Sequence, residues 1–249
     1  MAKTFEALMK MEKESETTLI EAAAFESTPI SSPLPWSKPT IPKKIMEEHE
    51  RLKYNILSLN SGKVIRSILF TSPTEREKSS MVSTNFAVTL ASDGDRVLLI
   101  DANLESPFLH KLFNLEGKNG LTELCSEKSL LVNAMHKTQF SNLSVIPCGK
   151  LRSNPSTAFE CSSLGVHIQA MKTHAEWVLF DAPPIYSSNS AVVLAKYVDG
   201  VIMVVEAEKT RWEVAANAKQ RIEDGNGTML GVILNNRRFH IPRGIYKGL

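Results

Sequence analysis

Residues 66–101 have the sequence RSILFTSPTEREKSSMVSTNFAVTLASDGDRVLLID and contain one complete strand–helix–strand unit. Residues 67–70 and 97–100 are short apolar runs typical of buried strands, and residues 78–91 have the pattern of a helix. The polar residues 71–77 connect the first strand to this helix. The stretch therefore predicts a βαβ unit, which is the building block of a parallel sheet.

The loop 71–77 lies where a phosphate-binding loop would lie, because the free N–H groups at a helix N-terminus attract anions. Lys78 and Ser79 match the Lys-[Ser/Thr] pair that closes such a loop. A P-loop also needs glycine immediately before the lysine and usually at its first position, and these positions hold Glu77 and Ser72. The sequence thus predicts a phosphate-binding position whose loop has been altered.

The overall composition is that of an ordinary soluble protein, and the length suits either one large α/β domain or one domain with a tail. The chain has 249 residues, of which 43% are hydrophobic, so it can bury a sizeable core. Its 29 Lys and Arg nearly balance its 27 Asp and Glu. Bulk charge therefore gives no support for nucleic-acid binding, and we expect no nucleic-acid partner.

Cysteine usage and hydropathy indicate the compartment. Cys125, Cys148 and Cys161 are far apart and lack a Cys-x-x-Cys spacing, which argues against a disulfide framework or a zinc site. No uncharged apolar run approaches the ~18–20 residues needed to span a bilayer. We therefore expect a cytoplasmic protein that reaches the inner membrane only through a partner.

The composition divides the chain into three parts. Residues 1–20 place Phe5 and Leu8 on one side of an otherwise charged segment, which predicts an amphipathic helix, although a frayed tail explains the pattern equally well. Residues 21–44 are rich in proline and serine, which favours an extended linker. Residues 45–249 form the main domain.

Beyond residue 101, apolar runs continue to alternate with helical segments. This order predicts a mostly parallel sheet with helices on both faces, an α/β fold of the P-loop NTPase type. Ligands of such sheets bind at the carboxyl ends of the strands. The polar residues that follow predicted strands are Thr71, Asp101, Asp181, Glu206 and Asn235.

Four segments carry a resemblance to a known family. Residues 71–80 (TSPTEREKSS) correspond to Walker A, residues 97–107 (VLLIDANLESP) to Walker A′, and residues 178–184 (VLFDAPP) to Walker B. Residues 231–235 (GVILN) are similar to the family's Gly-Val-Val-Leu-Asn. Their shared order resembles the cytoplasmic tyrosine autokinases of bacterial capsule and exopolysaccharide loci, the BY-kinases, a branch of the deviant-Walker ATPases that includes the Min and Par proteins.

The resemblance implies ATP and Mg²⁺ as cofactors and assigns three positions to catalysis. Asp101 and Asp181, together with Ser79, would hold Mg²⁺ directly or through water. Asn103 stands at the second Walker A′ carboxylate, which in the family helps to activate the acceptor hydroxyl.

The same resemblance places nucleotide binding on the loop and on the last strand. Backbone N–H groups of the loop would cradle the phosphates, and Lys78 would neutralise the β- and γ-phosphate charge. Ser79 and Ser80 complete the binding residues of the loop. Asn235 matches the asparagine that contacts the nucleotide base.

Glu77 is the most consequential departure from the family pattern. A glycine there lets the backbone approach a phosphate, whereas a glutamate adds bulk and a negative charge. At about 4 Å and an effective dielectric constant of about 20, like charges repel by about 4 kcal/mol, roughly a thousandfold in affinity. We expect Arg76 to offset part of this repulsion.

Three further departures concern catalysis and assembly. Asn103 replaces a carboxylate and does not take up a proton. The family's ring-contact helix, Glu-x-x-Arg-x-x-Arg, reads Glu47, Glu50 and Lys53 here, so one arginine has become a carboxylate. Tyr246 stands alone where such kinases carry a run of tyrosines.

These observations leave three hypotheses. In the first, a degenerate kinase-like protein works by binding a membrane polysaccharide co-polymerase (chain-length determinant), as a homo-oligomer or with a kinase paralogue, and regulates chain length or export. In the second, the chain is an active tyrosine autokinase in which Arg76 and Lys78 compensate for the missing glycines. The third is a Min/Par-type positioning ATPase. We favour the first.

Overall fold

The computed structural model describes residues 41–59, 64–126, 129–150, 159 and 163–236. The predicted amphipathic segment 1–20, most of the linker 21–44 and Tyr246 lie outside these residues, so their predicted structure and roles stay predictions.

Within the described residues, strands and helices alternate along the chain. The strands are β1 (Ser67–Thr71), β2 (Val97–Asp101), β3 (His136–Lys137), β4 (Leu143–Ile146), β5 (Trp177–Asp181), β6 (Gly200–Glu206) and β7 (Met229–Asn235). The helices are α1 (Lys43–Ser58), α2 (Ser79–Ser92), α3 (Leu109–Leu112), α4 (Leu121–Cys125), α5 (Leu131–Ala134), α6 (Leu164–His174), α7 (Ser190–Ala195) and α8 (Trp212–Asp224).

The seven strands form one sheet with the order β3-β4-β2-β5-β1-β6-β7. Every neighbouring pair is parallel except β3 and β4. The predicted α/β architecture with a mostly parallel sheet is confirmed. The two-residue antiparallel strand β3 was not predicted.

The register of the central strands assembles the predicted site. Asp101 on β2 is paired with Asp181 on β5, and Asp181 is in turn paired with Phe70 on β1. On the other side of β1, Glu206 of β6 is paired with Asn235 of β7. The polar strand ends therefore meet along one edge of the sheet, as expected for parallel strands.

The strands form because their residues are apolar without alternation, which suits a sheet covered on both faces. One core cluster lies under α1, α2 and α3, and a second lies under the remaining long helices. Phe86 of α2 fixes the first cluster, since its ring lies 5.8 Å from that of Phe70 and 6.1 Å from that of Trp177.

Helix α2 is buried nearly all round, although it contains several hydroxyl side chains. These hydroxyls bond to carbonyl groups one turn back: Ser83 and Thr84 donate to Ser80 O, and Thr89 donates to Asn85 O. Buried polar groups are thus satisfied within the helix. The N-terminus of α2 is consequently held at a fixed place beside β1.

Asp199 braces the opposite end of the sheet. Its Oδ2 accepts hydrogen bonds from the backbone N–H groups of Arg66 and Ser67, both at 2.9 Å, and its Oδ1 accepts one from Lys172 Nζ at 2.8 Å. Burial alone would raise the pKa of Asp199, but these bonds outweigh burial and lower it. Asp199, which immediately precedes β6, therefore connects the start of β1 to α6.

Two of the three cysteines lie in the described residues. Cys125 and Cys148 are both buried, and burial, with nearby carboxylates, raises the pKa of the Cys148 thiol to about 12. Cys161 lies outside the described residues. In the described part of the chain, every helix is too short or too polar to cross a bilayer.

Candidate functional site

The altered loop between β1 and α2 has a definite local structure. Thr74 precedes a 3-10 turn at Glu75–Glu77, and Lys78 then takes a left-handed conformation with φ 55° before α2 begins at Ser79. Positive φ is uncommon outside glycine and costs about 1 kcal/mol or more. The unusual backbone angle therefore falls on the lysine itself.

The side chain of Glu77 fills the loop and is only 2% exposed. Its Oε2 accepts hydrogen bonds from the Thr74 backbone N–H at 3.2 Å and from the Thr74 hydroxyl at 2.8 Å. Its Oε1 accepts a bond from the Thr210 hydroxyl at 3.0 Å. The carboxylate thus occupies a backbone donor of the kind that a P-loop offers to a phosphate.

Sequence reasoning placed Glu77 beside the phosphate site but missed this arrangement. Thr74 and Glu77 form a capping box, for which Thr-x-x-Glu is the recognised sequence signal. Arg76, which we expect to offset part of the charge of Glu77, is exposed, and the Glu77 carboxylate accepts its bonds from hydroxyl and N–H groups. The contact from Thr210 has no local sequence signal, since the two residues lie 133 positions apart.

Asn235, which the resemblance assigns to the nucleotide base, is buried at the end of β7. Its Nδ2 donates a hydrogen bond to the backbone carbonyl of Glu77 at 3.0 Å. Its Oδ1 accepts from the N–H of Asn236 at 2.9 Å. In this structure Asn235 therefore binds the loop.

Asp101 is buried and its two carboxylate oxygens accept backbone hydrogen bonds. Oδ2 accepts from Phe108 N–H at 3.0 Å and from Leu109 N–H at 2.9 Å, while Oδ1 accepts from Asn103 N–H at 3.3 Å. Burial raises its pKa to about 7, although these bonds favour the ionised form. Asp101 thus anchors the segment that leads into α3.

Asp181, its register partner, is in the opposite situation. Both of its oxygens are buried and have no hydrogen-bond partner of acceptable geometry. Burial and the neighbouring Asp101 raise its pKa well above the usual value, and the nearby hydroxyls of Ser80 and Ser83 offset only part of this. An orphaned buried carboxylate needs a proton or a cation.

Asn103 is 9% exposed and uses its side chain locally, because its Oδ1 accepts a hydrogen bond from Ser106 N–H at 3.1 Å. This turn shapes the segment between β2 and α3. As an amide, Asn103 offers donors and an acceptor to a substrate, but it does not act as a base.

A cleft of about 280 Å³ lies between the loop, the 103–108 segment and the segment after β5. It brings together four of the predicted residues, with Asp181 behind Ser80 and outside the lining. Asp101 and Asn235 are also outside the lining, and Asn235 donates to the Glu77 carbonyl. The cleft is lined by Ser72, Glu75, Lys78, Ser79, Ser80, Met81, Asn103, Glu105, Ser106, Phe108, Pro184 and Ser187.

The donor set fits Mg²⁺ better than it fits a triphosphate. The orphaned Asp181 carboxylate and the nearby serine hydroxyls are hard oxygen ligands of the kind that Mg²⁺ prefers. The loop, by contrast, already holds the Glu77 carboxylate on the Thr74 N–H. The unpaired carboxylate of Asp181 therefore fits a cation, whereas the Glu77 carboxylate occupies a backbone donor of the loop.

The fold and the strand-end site define an α/β protein of the P-loop NTPase class. The family model for the cellulose biosynthesis protein BcsQ matches residues 77–224. The tyrosine-protein kinase YwqD of Bacillus subtilis is 30% identical over 83% of this chain and 89% of the relative. The chain belongs to the bacterial tyrosine-kinase (BY-kinase) family within this class.

Solved structures confirm the fold. The chimerical protein CapA2B2 has a TM-score of 0.79 and 24% identity, with 93% of this chain and 100% of that chain covered. The septum site-determining protein MinD of Pyrococcus horikoshii, solved with Mg-ADP, has a TM-score of 0.58 and 22% identity, with 74% of this chain and 77% of that chain covered.

Proposed function

We propose that this protein is a kinase-like regulator of exopolysaccharide or capsule biosynthesis that acts by binding, with its nucleotide chemistry impaired. The observation that carries the proposal is the buried Glu77 carboxylate on the Thr74 N–H. Membership of the BY-kinase family supports the biological setting.

The Glu77 carboxylate impairs nucleotide binding in two ways. It occupies a donor that a phosphate would use, and its charge opposes a polyanion. Like charges about 4 Å apart repel by about 4 kcal/mol at an effective dielectric constant of about 20, or roughly a thousandfold in affinity. Mg·ATP therefore binds weakly, even though Lys78, Ser79 and Asp181 are retained.

Asn103 weakens the chemical step independently of binding. In the family's pattern this position carries a carboxylate that helps to activate the acceptor hydroxyl, whereas an amide does not accept the proton. The site keeps positions for orienting a phosphate and lacks this acid–base group.

Under this proposal, the protein acts through contacts that the surface of its domain makes with a partner protein. We assign it a membrane polysaccharide co-polymerase as partner, through which a cytoplasmic domain comes to lie at the inner membrane and influences chain length or export. Assembly occurs as a homo-oligomer or, because Glu50 replaces a family arginine, with a kinase paralogue. The support for both is the family resemblance.

A thermal-shift measurement with Mg·ATP tests the proposal. The unmodified protein shows no shift, whereas Glu77→Gly shows one because the backbone donor and the space become free. Glu116→Gly is the control, since it removes an exposed carboxylate outside the cleft and leaves the loop filled. A clear shift of the unmodified protein would contradict the proposal.

An active tyrosine autokinase is the second candidate, favoured by the orphaned Asp181 carboxylate beside the retained serines. Under this alternative, incubation with Mg·ATP places phosphate on Tyr54 or Tyr246. Lys78→Met then abolishes the modification, because the phosphate charge is no longer neutralised. Mass spectrometry of the two proteins distinguishes the candidates.

A further inference from the structure

We infer that Thr210 and Asn235 form a latch that holds Glu77 inside the loop, so that closure of the phosphate cradle is controlled from the ends of β6 and β7. The inference rests on the proposed function and adds its regulation. Neither residue lies in the cleft that contains Lys78 and Asn103.

Thr210 is fixed in the position that the latch requires. Its hydroxyl donates to Glu77 Oε1 at 3.0 Å and accepts from the Glu206 N–H at 3.0 Å. Its backbone N–H bonds to the Glu206 carbonyl at 3.0 Å. The hydroxyl acts both as a donor and as an acceptor, so its hydrogen points towards the Glu77 carboxylate.

Asn235 holds the same residue by its backbone. The Nδ2 atom donates to Glu77 O at 3.0 Å, and the Oδ1 atom is occupied by the Asn236 N–H. The side chain and the carbonyl of Glu77 are therefore bound from two different segments, the turn after β6 and the end of β7.

The two strand ends are themselves joined. Ala207 N–H donates to Asn235 O at 2.8 Å, and Asn236 Nδ2 donates to Glu206 Oε1 at 3.1 Å. Lys209 Nζ also binds Glu206 Oε1 at 2.6 Å. We therefore expect Thr210 and Asn235 to move as one unit.

The loop is anchored differently at its other end. Ser72 O accepts a bond from Ile185 N–H at 2.9 Å, and Pro73 O accepts one from Tyr186 N–H at 3.2 Å. Displacing the 206–210 segment would leave these bonds intact and free only the Glu77 half of the loop. Glu208 and Lys209 are exposed in that segment, so a bound protein can reach it.

Thr210→Val tests the latch without touching Glu77 or the cleft. In nucleotide-free protein, amide hydrogen exchange of residues 72–78 accelerates by at least about tenfold, because a hydrogen bond to a buried carboxylate is lost. Affinity for Mg·ATP rises by about the same factor. Thr210→Ser retains the hydroxyl and restores both values.

Thr89→Val is the matched control, since it removes a buried threonine hydroxyl that bonds Asn85 O within α2. It leaves exchange of the loop unchanged. Wild-type exchange rates in Thr210→Val overturn the latch whatever the nucleotide affinity. A gain of Mg·ATP binding in Glu77→Gly without any gain in Thr210→Val also overturns it.

A different result would contradict the proposed function. Tight Mg·ATP binding by the unmodified chain overturns that function, and the exchange rates of Thr210→Val against Thr89→Val then still decide whether the latch exists.

Discussion

Asp101 and Asp181 face the same edge of the sheet in direct register, yet their surroundings differ. Three backbone N–H groups bind Asp101, and no side chain or backbone donor of good geometry binds Asp181. The Asp101 carboxylate therefore holds local backbone structure through its hydrogen bonds. The unpaired Asp181 carboxylate instead destabilises the fold unless a cation neutralises it.

The same isosteric substitution at these two positions should have opposite effects. In magnesium-free buffer at pH 8, Asp181→Asn raises the free energy of unfolding by about 1–3 kcal/mol, because the folded wild type must either keep a proton that the unfolded chain releases or bury an unpaired charge. Near pH 4, Asp101→Asn lowers the free energy of unfolding by about 1–3 kcal/mol, because an amide nitrogen replaces an oxygen that accepts backbone bonds. This loss shrinks towards pH 8, because the pKa of Asp101 is raised to about 7 and the wild type becomes less stable. Denaturant titration measures both, and a stabilising Asp101→Asn near pH 4 or a destabilising Asp181→Asn at pH 8 would contradict the assignment.

The pH dependence follows from the raised pKa of Asp181. The folded state keeps this proton to a higher pH than the unfolded chain does, so wild-type stability falls as pH rises above the ordinary value of 3.8. The advantage of Asp181→Asn is thus small near pH 4 and grows towards pH 8.

The positions of the site residues were predictable because motif order fixes them on strand ends. Their bonding was only partly predictable. Thr74 and Glu77 carry a readable capping-box signal, whereas the bonds from Thr210 and Asn235 to Glu77 depend on packing between distant segments.

Among the secondary-structure elements, β1 connects the loop that contains Glu77 to the residues that Asp199 holds. Its carboxyl end enters the filled loop, and its amino end is held by Asp199. Asp199 bonds two backbone N–H groups and the half-buried Lys172, so one side chain positions β1, α6 and β6 together.

Asp199→Asn should destabilise the domain by about 2–4 kcal/mol at pH 7, because a paired carboxylate and its backbone bonds are lost. The folded pKa of Asp199 is lowered, so its contribution is present above the ordinary value of 3.8 and is lost as pH falls through the folded value. Wild type and variant therefore converge in acid. A constant difference down to pH 2 would contradict this account.

The order of elements followed from the sequence because buried parallel strands read as uninterrupted apolar runs. Strand β3 was not predicted because its two residues, His136 and Lys137, are too few to show the alternating hydrophobic pattern of a strand. They form a strand by pairing with β4. Helix α8 begins at Trp212, two residues after Thr210, whose hydroxyl accepts a hydrogen bond from the Glu206 N–H at the end of β6.

Helix α1 contains the residues that we compare with the family's contact between subunits. Lys53, which the resemblance assigns to a ring-contact helix, forms ion pairs with Asp95 at 2.6 Å and Asp93 at 3.3 Å in its own domain. Burial lowers its pKa, but these carboxylates outweigh burial and raise it. This cation is committed within the domain, and Glu50 is acidic.

We expect the isolated chain to form no closed ring of identical subunits in a sedimentation experiment at micromolar concentration, with or without Mg·ATP. Lys53→Ala should lower stability by about 0.5–1 kcal/mol, as for a partly exposed ion pair, without changing the sedimentation coefficient. A closed ring of identical subunits that Lys53→Ala dissolves would show that this helix still forms the family contact.

The chain has the fold of a kinase domain, and we propose that Glu77 fills the part of the loop that would hold the triphosphate. Isothermal titration of Mg·ATP into the unmodified chain tests this proposal. If ordinary micromolar affinity is reduced roughly a thousandfold, the titration shows no saturation below about 1 mM. Saturable one-to-one binding with a Kd of about 10 μM or tighter would contradict the claim.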